Sequence, residues 1–215
     1  MQFNLITAFP HFYNSFLETS LIKKAYENDI LNFKIVDLKE FGIGKYKKID
    51  DIPFGGGIGM VIRVDVIKRA LESIEDTGYI IALSPSENLF TQEKASELSK
   101  KHSIITLLCG RYEGFDERVF NYVHETLSIG QYITMGGETP SLVLIESISR
   151  LVPNVLGKKE STEEESYTGN IFKEYPKYTK PVEFEGETVP EVLRSGNHKA
   201  ILKWKDQHTL KKAKR

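Results

Sequence analysis

The chain has 215 residues, 40% of them hydrophobic and 27% charged, with a net charge of −1. That composition can bury a core in one domain of ordinary size with a small appendage, which excludes the disordered and fibrous classes. No apolar run approaches the ~20 residues that span a bilayer, MQFNLITAFP lacks the basic start of a secretory signal, and the single cysteine, Cys109, excludes an internal disulfide and fits a reducing cytoplasm.

In chain order, strands are expected at Phe3–Ala8, Leu31–Leu38, Tyr79–Ser84, Ile104–Cys109 and Thr126–Ile129. Helical patterns lie near Phe12–Glu18, Leu21–Asn28, Val64–Ile74, Thr91–Lys101 and Pro140–Val152. The strand candidates are continuous apolar runs, the mark of burial on both faces. Together with their alternation with helices, this predicts an α/β domain built on a mainly parallel sheet with helices on both faces. Thr139 reads as the N-cap and Pro140 as the first residue of the fifth helix. Cys109 ends the apolar run IITLLC and reads as a small core residue.

Past Val155 the character changes. Residues 157–170, GKKESTEEESYTGN, are polar and aperiodic and read as an exposed linker. A small, mainly helical region follows over 171–215, with Val189–Arg194 and a helix capped by Asn197. Residues 197–215 hold seven basic residues and one acid, Asp206, a net of +6, so the remaining residues carry −7. A basic tail on an acidic body suits an anionic partner such as nucleic acid; a solvated terminus would carry the same charge. The stretch IFKEYPKYTKP interleaves Phe172, Tyr175 and Tyr178 with Lys173, Lys177 and Lys180, a pattern suited to base stacking and phosphate pairing.

Three glycine-bearing loops, IDDIPFGGGIGM (49–60), LLCGRYEGFDERV (107–119) and SIGQYITMGGETPS (128–141), lie at or near strand ends. In open α/β sheets ligands collect at the carboxyl ends of strands, and glycine there lets the backbone approach a ligand. None of the loops is a phosphate-binding P-loop, since no glycine precedes Lys-Ser or Lys-Thr. Glu40-Phe41-Gly42-Ile43-Gly44 is similar to the acidic-x-Gly-x-Gly turn of Rossmann-type methyltransferases, but its continuation KYKKIDD does not read as helix.

Taken together, DDIPFGGGIGM, LSP (83–85), CGRYEGFDERV, SIGQYITMGGETPS, SISRLVPNVLG, YTKP, VPEVLRSGNH and KW follow one another in an order and spacing that resemble the bacterial tRNA (guanine-N1)-methyltransferases of the SPOUT superfamily, which act beside the anticodon. The resemblance covers nearly the whole chain. It implies a deep trefoil knot at the C-terminal end of the sheet, S-adenosylmethionine as cofactor, tRNA as substrate, and a homodimer whose active sites draw on both chains. It implies cofactor contacts from Leu83, Ser84, Pro85, Gly110, Arg111, Tyr112, Glu113, Ile129, Gly130, Gln131, Tyr132, Ile133, Thr134, Gly136, Gly137 and Pro140. It divides the chain into a knotted cofactor domain (1–156), the linker (157–170) and a tRNA-binding domain (171–215).

A sulfonium methyl is already activated, so positioning is the main task of such an enzyme, but guanine N1 carries a proton that must leave. By resemblance, Glu165, before Ser166-Tyr167, is the general base, with Glu163 and Glu164 left as solvated charge. Arg150 matches the arginine that stabilises charge near O6; on its own helix it also suits an i,i+4 pair with Glu146. Glu113 suits the cationic methionine end of the cofactor, or a pair with Arg111 or Arg118. His198 matches a motif position of the second domain and equally suits a helix start. The chain departs from the family pattern at Ile58, where proline is common, at Gln131, where an acid is common, at Glu165, where the base is aspartate, and in its shorter C-terminus. A catalytically weak RNA-binding protein is the alternative these departures suggest. No His/Cys cluster with zinc-ligand spacing occurs, whereas a magnesium ion held by carboxylates and waters would leave little trace in sequence.

Overall fold

The computed structural model describes residues 1–156, 165–167 and 169–211, which form two compact units divided between Gly157 and Lys158. The expected positions Glu163 and Glu164, most of the linker and the last four residues lie outside the described residues.

The first unit is built on five parallel strands: β1 (Gln2–Thr7), β2 (Asn32–Asp37), β5 (Tyr79–Leu83), β6 (Ile104–Cys109) and β7 (Glu125–Leu127), in the order β2-β1-β6-β5-β7. Each lies within two residues, at either end, of a strand expected from the sequence; β2, at the sheet edge, departs from continuous burial, with Asn32 and Lys34 exposed. β1 sits between β2 and β6 with Leu5 opposite Ile35 and Leu107, and β5 sits between β6 and β7 with Leu83 opposite Cys109 and Leu127. Strand pleating sends alternate residues to opposite faces, so both faces need cover. On one face Phe3, Leu5, Ile81, Ile105 and Leu107 pack with Ile22 of α2 (Ser20–Glu27), Leu98 of α4 (Gln92–Lys101) and Leu144, Ile145 and Ile148 of α5 (Glu138–Ser149). On the other, Ile6, Ile80, Ala82 and Leu108 pack with Val66, Ile67 and Ala70 of α3 (Val64–Glu72). Buried Asn4 donates to Thr106 Oγ1 on the neighbouring strand at 3.0 Å, so the polar pair is satisfied within the sheet.

One capping expectation is corrected. α5 begins at Glu138 with Gly137 as its N-cap, and Ser141 N to Gly137 O (2.9 Å) is its first helical bond. Pro140 is therefore the third helical residue, still within the first turn, where backbone N–H groups have no helical acceptor and a missing one costs nothing.

Two short strands, β3 (Asp50–Asp51) and β4 (Val61–Ile62), pair antiparallel and flank the glycine loop of residues 52–60. The second unit holds β8 (Ile171–Lys173) paired with β11 (Leu210–Lys211), the hairpin β9–β10 (Glu183–Phe184 and Glu187–Thr188), α6 (Glu191–Arg194) and α7 (His198–His208). Asn197 caps α7 as expected, its side chain accepting from Ala200 N at 3.1 Å. Trp204 stacks on His208 one turn later, with ring centroids 4.0 Å apart.

At the amino edge of the sheet the Tyr79 ring stacks on His102 (4.1 Å) and on His124 (5.0 Å). His124 Nδ1 accepts the backbone N–H of Ile80 at 3.0 Å, while Glu125 accepts from Lys94 at 2.9 Å and from Tyr79 Oη at 3.3 Å. Burial first, then the charge of Lys101, lowers the His102 pKa below its ordinary 6.5. The fold thus holds His102 neutral, and this part of its stability is present above the unfolded pKa and lost as pH falls below it. We expect the urea midpoint to drop between about pH 7.5 and about pH 5.5, and His102→Gln to make that drop smaller. An unchanged pH dependence in the variant would contradict this reading of the stack.

Candidate active site

A cavity opens where β5, β6 and β7 end. Its walls come from three connections that follow Leu83, Cys109 and Leu127. These connections are tied together by backbone bonds: Ser84 N to Leu127 O at 3.3 Å, Gly137 N to Gly110 O at 2.8 Å, and an isolated bridge between Arg111 and Gly136. Of the residues expected to contact a cofactor, all but Gly130 and Gln131 line this cavity. Gly130 is turned into its own loop, its carbonyl accepting from Ser128 Oγ at 2.8 Å. Gly114, Leu127, Ser128 and Met135 also line the cavity and were not anticipated. They sit inside or beside motifs the sequence displays, but side-chain direction within an irregular loop has no period to betray it.

Gly137 shows why a glycine is needed here. A Cβ on it would come within 2.7 Å of Cys109 Cα and 2.9 Å of Gly110 N, so only a bare backbone lets the start of α5 rest on the end of β6. The next residue, Glu138, is an acidic side chain only 1% exposed. Its carboxylate accepts from Thr7 Oγ1 at 2.7 Å and from Arg111 Nε at 2.8 Å. Arg111 also donates through Nη1 to Met135 O at 3.2 Å, and its guanidinium lies over the Phe9 ring, 4.3 Å from the centroid. One buried carboxylate thereby joins β1, the loop after β6, the loop after β7 and the first turn of α5, where the helix dipole also favours negative charge.

Beneath it, Tyr13 Oη meets Ser141 Oγ at 2.8 Å and Cys109 Sγ at 3.2 Å. Burial, then the Glu138 charge, pushes the Cys109 thiol up to about 12, so it stays protonated near neutral pH and serves as core, not nucleophile. Burial likewise raises the Tyr13 phenol above its ordinary value.

Glu113 stands on the cavity wall in a different setting. Its side chain is exposed, and a Cβ on Gly59 would lie 2.7 Å from its Oε1. Its backbone N–H donates to Met60 O at 3.0 Å, which brings the 52–60 glycine loop to the cavity rim. The alternative partners are taken: Arg111 pairs with Glu138, and Arg118 with Asp116 at 2.7 Å.

The two residues expected to act on the substrate are not assembled at this rim within the first unit. Arg150 caps the C-terminal end of α5, and twelve residues at 1.5 Å rise place it ~18 Å from the end of the helix that lines the cavity. Glu165 belongs to the second unit. Beside it, Ser166 Oγ accepts from Glu174 N at 3.1 Å and Tyr167 packs edge-on against Phe172 at 5.6 Å.

A family model described as tRNA (guanine-1)-methyltransferase TrmD matches residues 1–215. The chain belongs to this family. It is 48% identical over 213 residues to a tRNA (guanine-N(1)-)-methyltransferase of Mycoplasmopsis agalactiae, covering 99% of this chain and 93% of that one. It is 45% identical over 212 residues to the protein of that name from Thermus thermophilus, covering 99% and 88%. A Clostridioides difficile protein of that name is 45% identical over 217 residues, covering 98% and 93%.

Within the TrmD motif MGGE, sequence reasoning passed over Glu138. Glu138 falls just before the expected helix start at Pro140, where nothing in the local sequence signals burial, and its true environment depends on Thr7, 131 residues away. Glu138→Ala would leave the Arg111 guanidinium and the Thr7 hydroxyl without their acceptor, and we expect a loss of about 3 kcal/mol in urea unfolding, towards the low end because Arg111 is partly exposed. Glu138→Gln, which keeps the shape and one acceptor, should recover part of it. A Glu138→Ala protein as stable as wild type would overturn this assignment.

Proposed function

We propose that this chain transfers a methyl group from S-adenosylmethionine to N1 of guanine 37, the nucleotide 3′ of the tRNA anticodon, acting as a cytoplasmic homodimer whose active sites draw on both subunits. The observation that carries the reading is the cavity at the ends of β5, β6 and β7, built from the loops that bear the TrmD motifs. On this reading the interlocked loops 110–114 and 128–137 belong to the trefoil knot of the SPOUT superfamily.

The cavity suits the cofactor by its own chemistry. Leu83, Leu127, Ile129 and Pro140 give an apolar wall for a purine, and the tight loops offer backbone donors and acceptors for its edge. The carboxylate of Glu113 at the rim suits a cationic amino-acid end. When bound, S-adenosylmethionine supplies an activated methyl group on a sulfonium. The protein then holds donor and acceptor in line and removes the N1 proton. Glu165 is assigned as the base that accepts this proton. Arg150 is assigned to stabilise negative charge spreading onto guanine O6.

The ~18 Å between Arg150 and the cavity along α5 supports a second subunit that brings its own Arg150 to the site. Phe9, Phe12, Leu21 and Val143 are partly exposed apolar residues that such a pairing would cover.

Methyl transfer to transcripts with and without guanine at position 37 tests the reading. Wild-type protein should methylate only the former. Glu165→Gln should lower kcat by about 10²–10⁴-fold while leaving cofactor affinity, measured by calorimetry, intact. An unimpaired Glu165→Gln enzyme would remove Glu165 as the base. Wild-type protein that binds tRNA but transfers no methyl group would mark it as an RNA-binding member of the family.

A further inference from the structure

The segment EFGIGKYKK, which has the look of a cofactor turn in sequence, is no part of the cavity. It forms a closed hairpin instead. Ile43 N donates to Lys48 O at 2.8 Å, Lys48 N to Ile43 O at 3.0 Å, and Lys47 N to Gly44 O at 3.1 Å. Gly44 adopts φ +70°, a left-handed conformation that glycine takes without strain. A side chain on Gly42 would run into the Lys47 carbonyl, so the turn closes only around glycine. Ile43 packs against the core and Ile49 is buried within it, so both ends of the hairpin are anchored.

What this rigid turn presents is unusual for a mere connection. Residues 44–48 are all exposed, and Tyr46, between Lys45 and Lys47, is 83% accessible. Four lysines (39, 45, 47 and 48) against one acid, Glu40, give residues 39–48 a net charge of +3 on a chain whose total is −1. Among the described residues none of these lysines has an ion-pair partner, and of the two acids that follow, Asp50 and Asp51, the second is paired with Arg63 at 2.9 Å. A solvated loop has no need to hold an aromatic ring in water; a ring between free cations on a fixed turn is the chemistry of base stacking with phosphate pairing.

Its placement agrees. The hairpin follows β2, at the same carboxyl edge of the parallel sheet as the cavity. It leads directly into β3, which pairs with β4, and Ile62 of β4 donates to Gly114 O at 2.9 Å, beside Glu113 on the cavity rim. We propose that the 43–48 hairpin is a tRNA-contacting element of the first unit, with Lys45, Lys47 and Lys48 on backbone phosphates and Tyr46 stacked on an unpaired base. The hairpin's role rests on the tRNA substrate proposed above and adds to it a contact outside the basic second unit.

The test is the salt dependence of tRNA binding together with steady-state kinetics, on the full chain. Lys45→Gln/Lys47→Gln should raise KM for tRNA about tenfold near physiological salt and flatten the slope of log K against log salt by about 1–2, because each lost phosphate contact removes about 0.7–0.9. Tyr46→Ala should weaken binding about fivefold or more without changing that slope. In both, kcat at saturating tRNA and affinity for S-adenosylmethionine should match wild type. Lys24→Gln/Lys100→Gln, which removes two charges near the opposite edge of the sheet, is the control. An unchanged slope in the hairpin variant, or an equal change in the control, overturns the hairpin contact while leaving the methyltransferase reading intact. Wild-type protein that neither binds nor methylates tRNA overturns both.

Discussion

The site depends on one buried carboxylate. Glu138 is set at the first turn of α5, where the helix N-terminus favours negative charge, and it accepts from Thr7 on one side and Arg111 on the other. The carboxyl ends of parallel strands are only chain ends leading into irregular loops, and nothing in the sheet ladder fixes what those loops do. The Glu138 pair supplies the missing constraint. It holds the loop after β6 to the loop after β7 through Arg111 and the Met135 carbonyl, and it holds both to β1. Gly137 adds the close approach without which α5 would stand off from β6. A cavity made of backbone edges can recognise a ligand only if those edges stay put, and this network is what keeps them there.

Much of the sheet was legible because its strands are covered on both faces. Apolar runs such as IITLLC have no polar alternation to obscure them, and the register of β1 and β6 follows from burying Leu5 beside Leu107. The cavity lining was legible for another reason: tight loops demand glycine, so the motif residues and the geometric lining largely coincide. What stayed hidden depends on long-range partners. Glu138 looks like a surface charge until Thr7 arrives from the first strand. Pro140 reads as a first helical residue until Gly137, held by Gly110, sets the start of α5 earlier. Gly42 and Gly44 resemble a cofactor turn because sequence shows which backbone freedom is used, not whether a ligand or a hairpin uses it.

The placement of the residues proposed to act on the substrate is the second constraint. α5 begins at the cavity and ends at Arg150, so one rigid helix sets the two apart within a chain. Motif order along the sequence brings them into one signature; helix geometry does not bring them into one place. That separation is what a shared site between two subunits would resolve. The charge layout suits the proposed tRNA substrate: lysines gather on the 43–48 hairpin and, along the sequence, in residues 197–215, while the rest of the chain is acidic.

The central claim is that the cavity bounded by Leu83, Gly110 and Gly137 is the cofactor site. A crystal structure of the protein grown with S-adenosylhomocysteine tests it most directly. The expected result is the ligand in that cavity, its adenine against Leu83 and Pro140 and its amino-acid end towards Glu113, with the Glu138–Arg111 pair unchanged. A ligand bound at the 42–44 turn, or anywhere other than the ends of β5, β6 and β7, would contradict it.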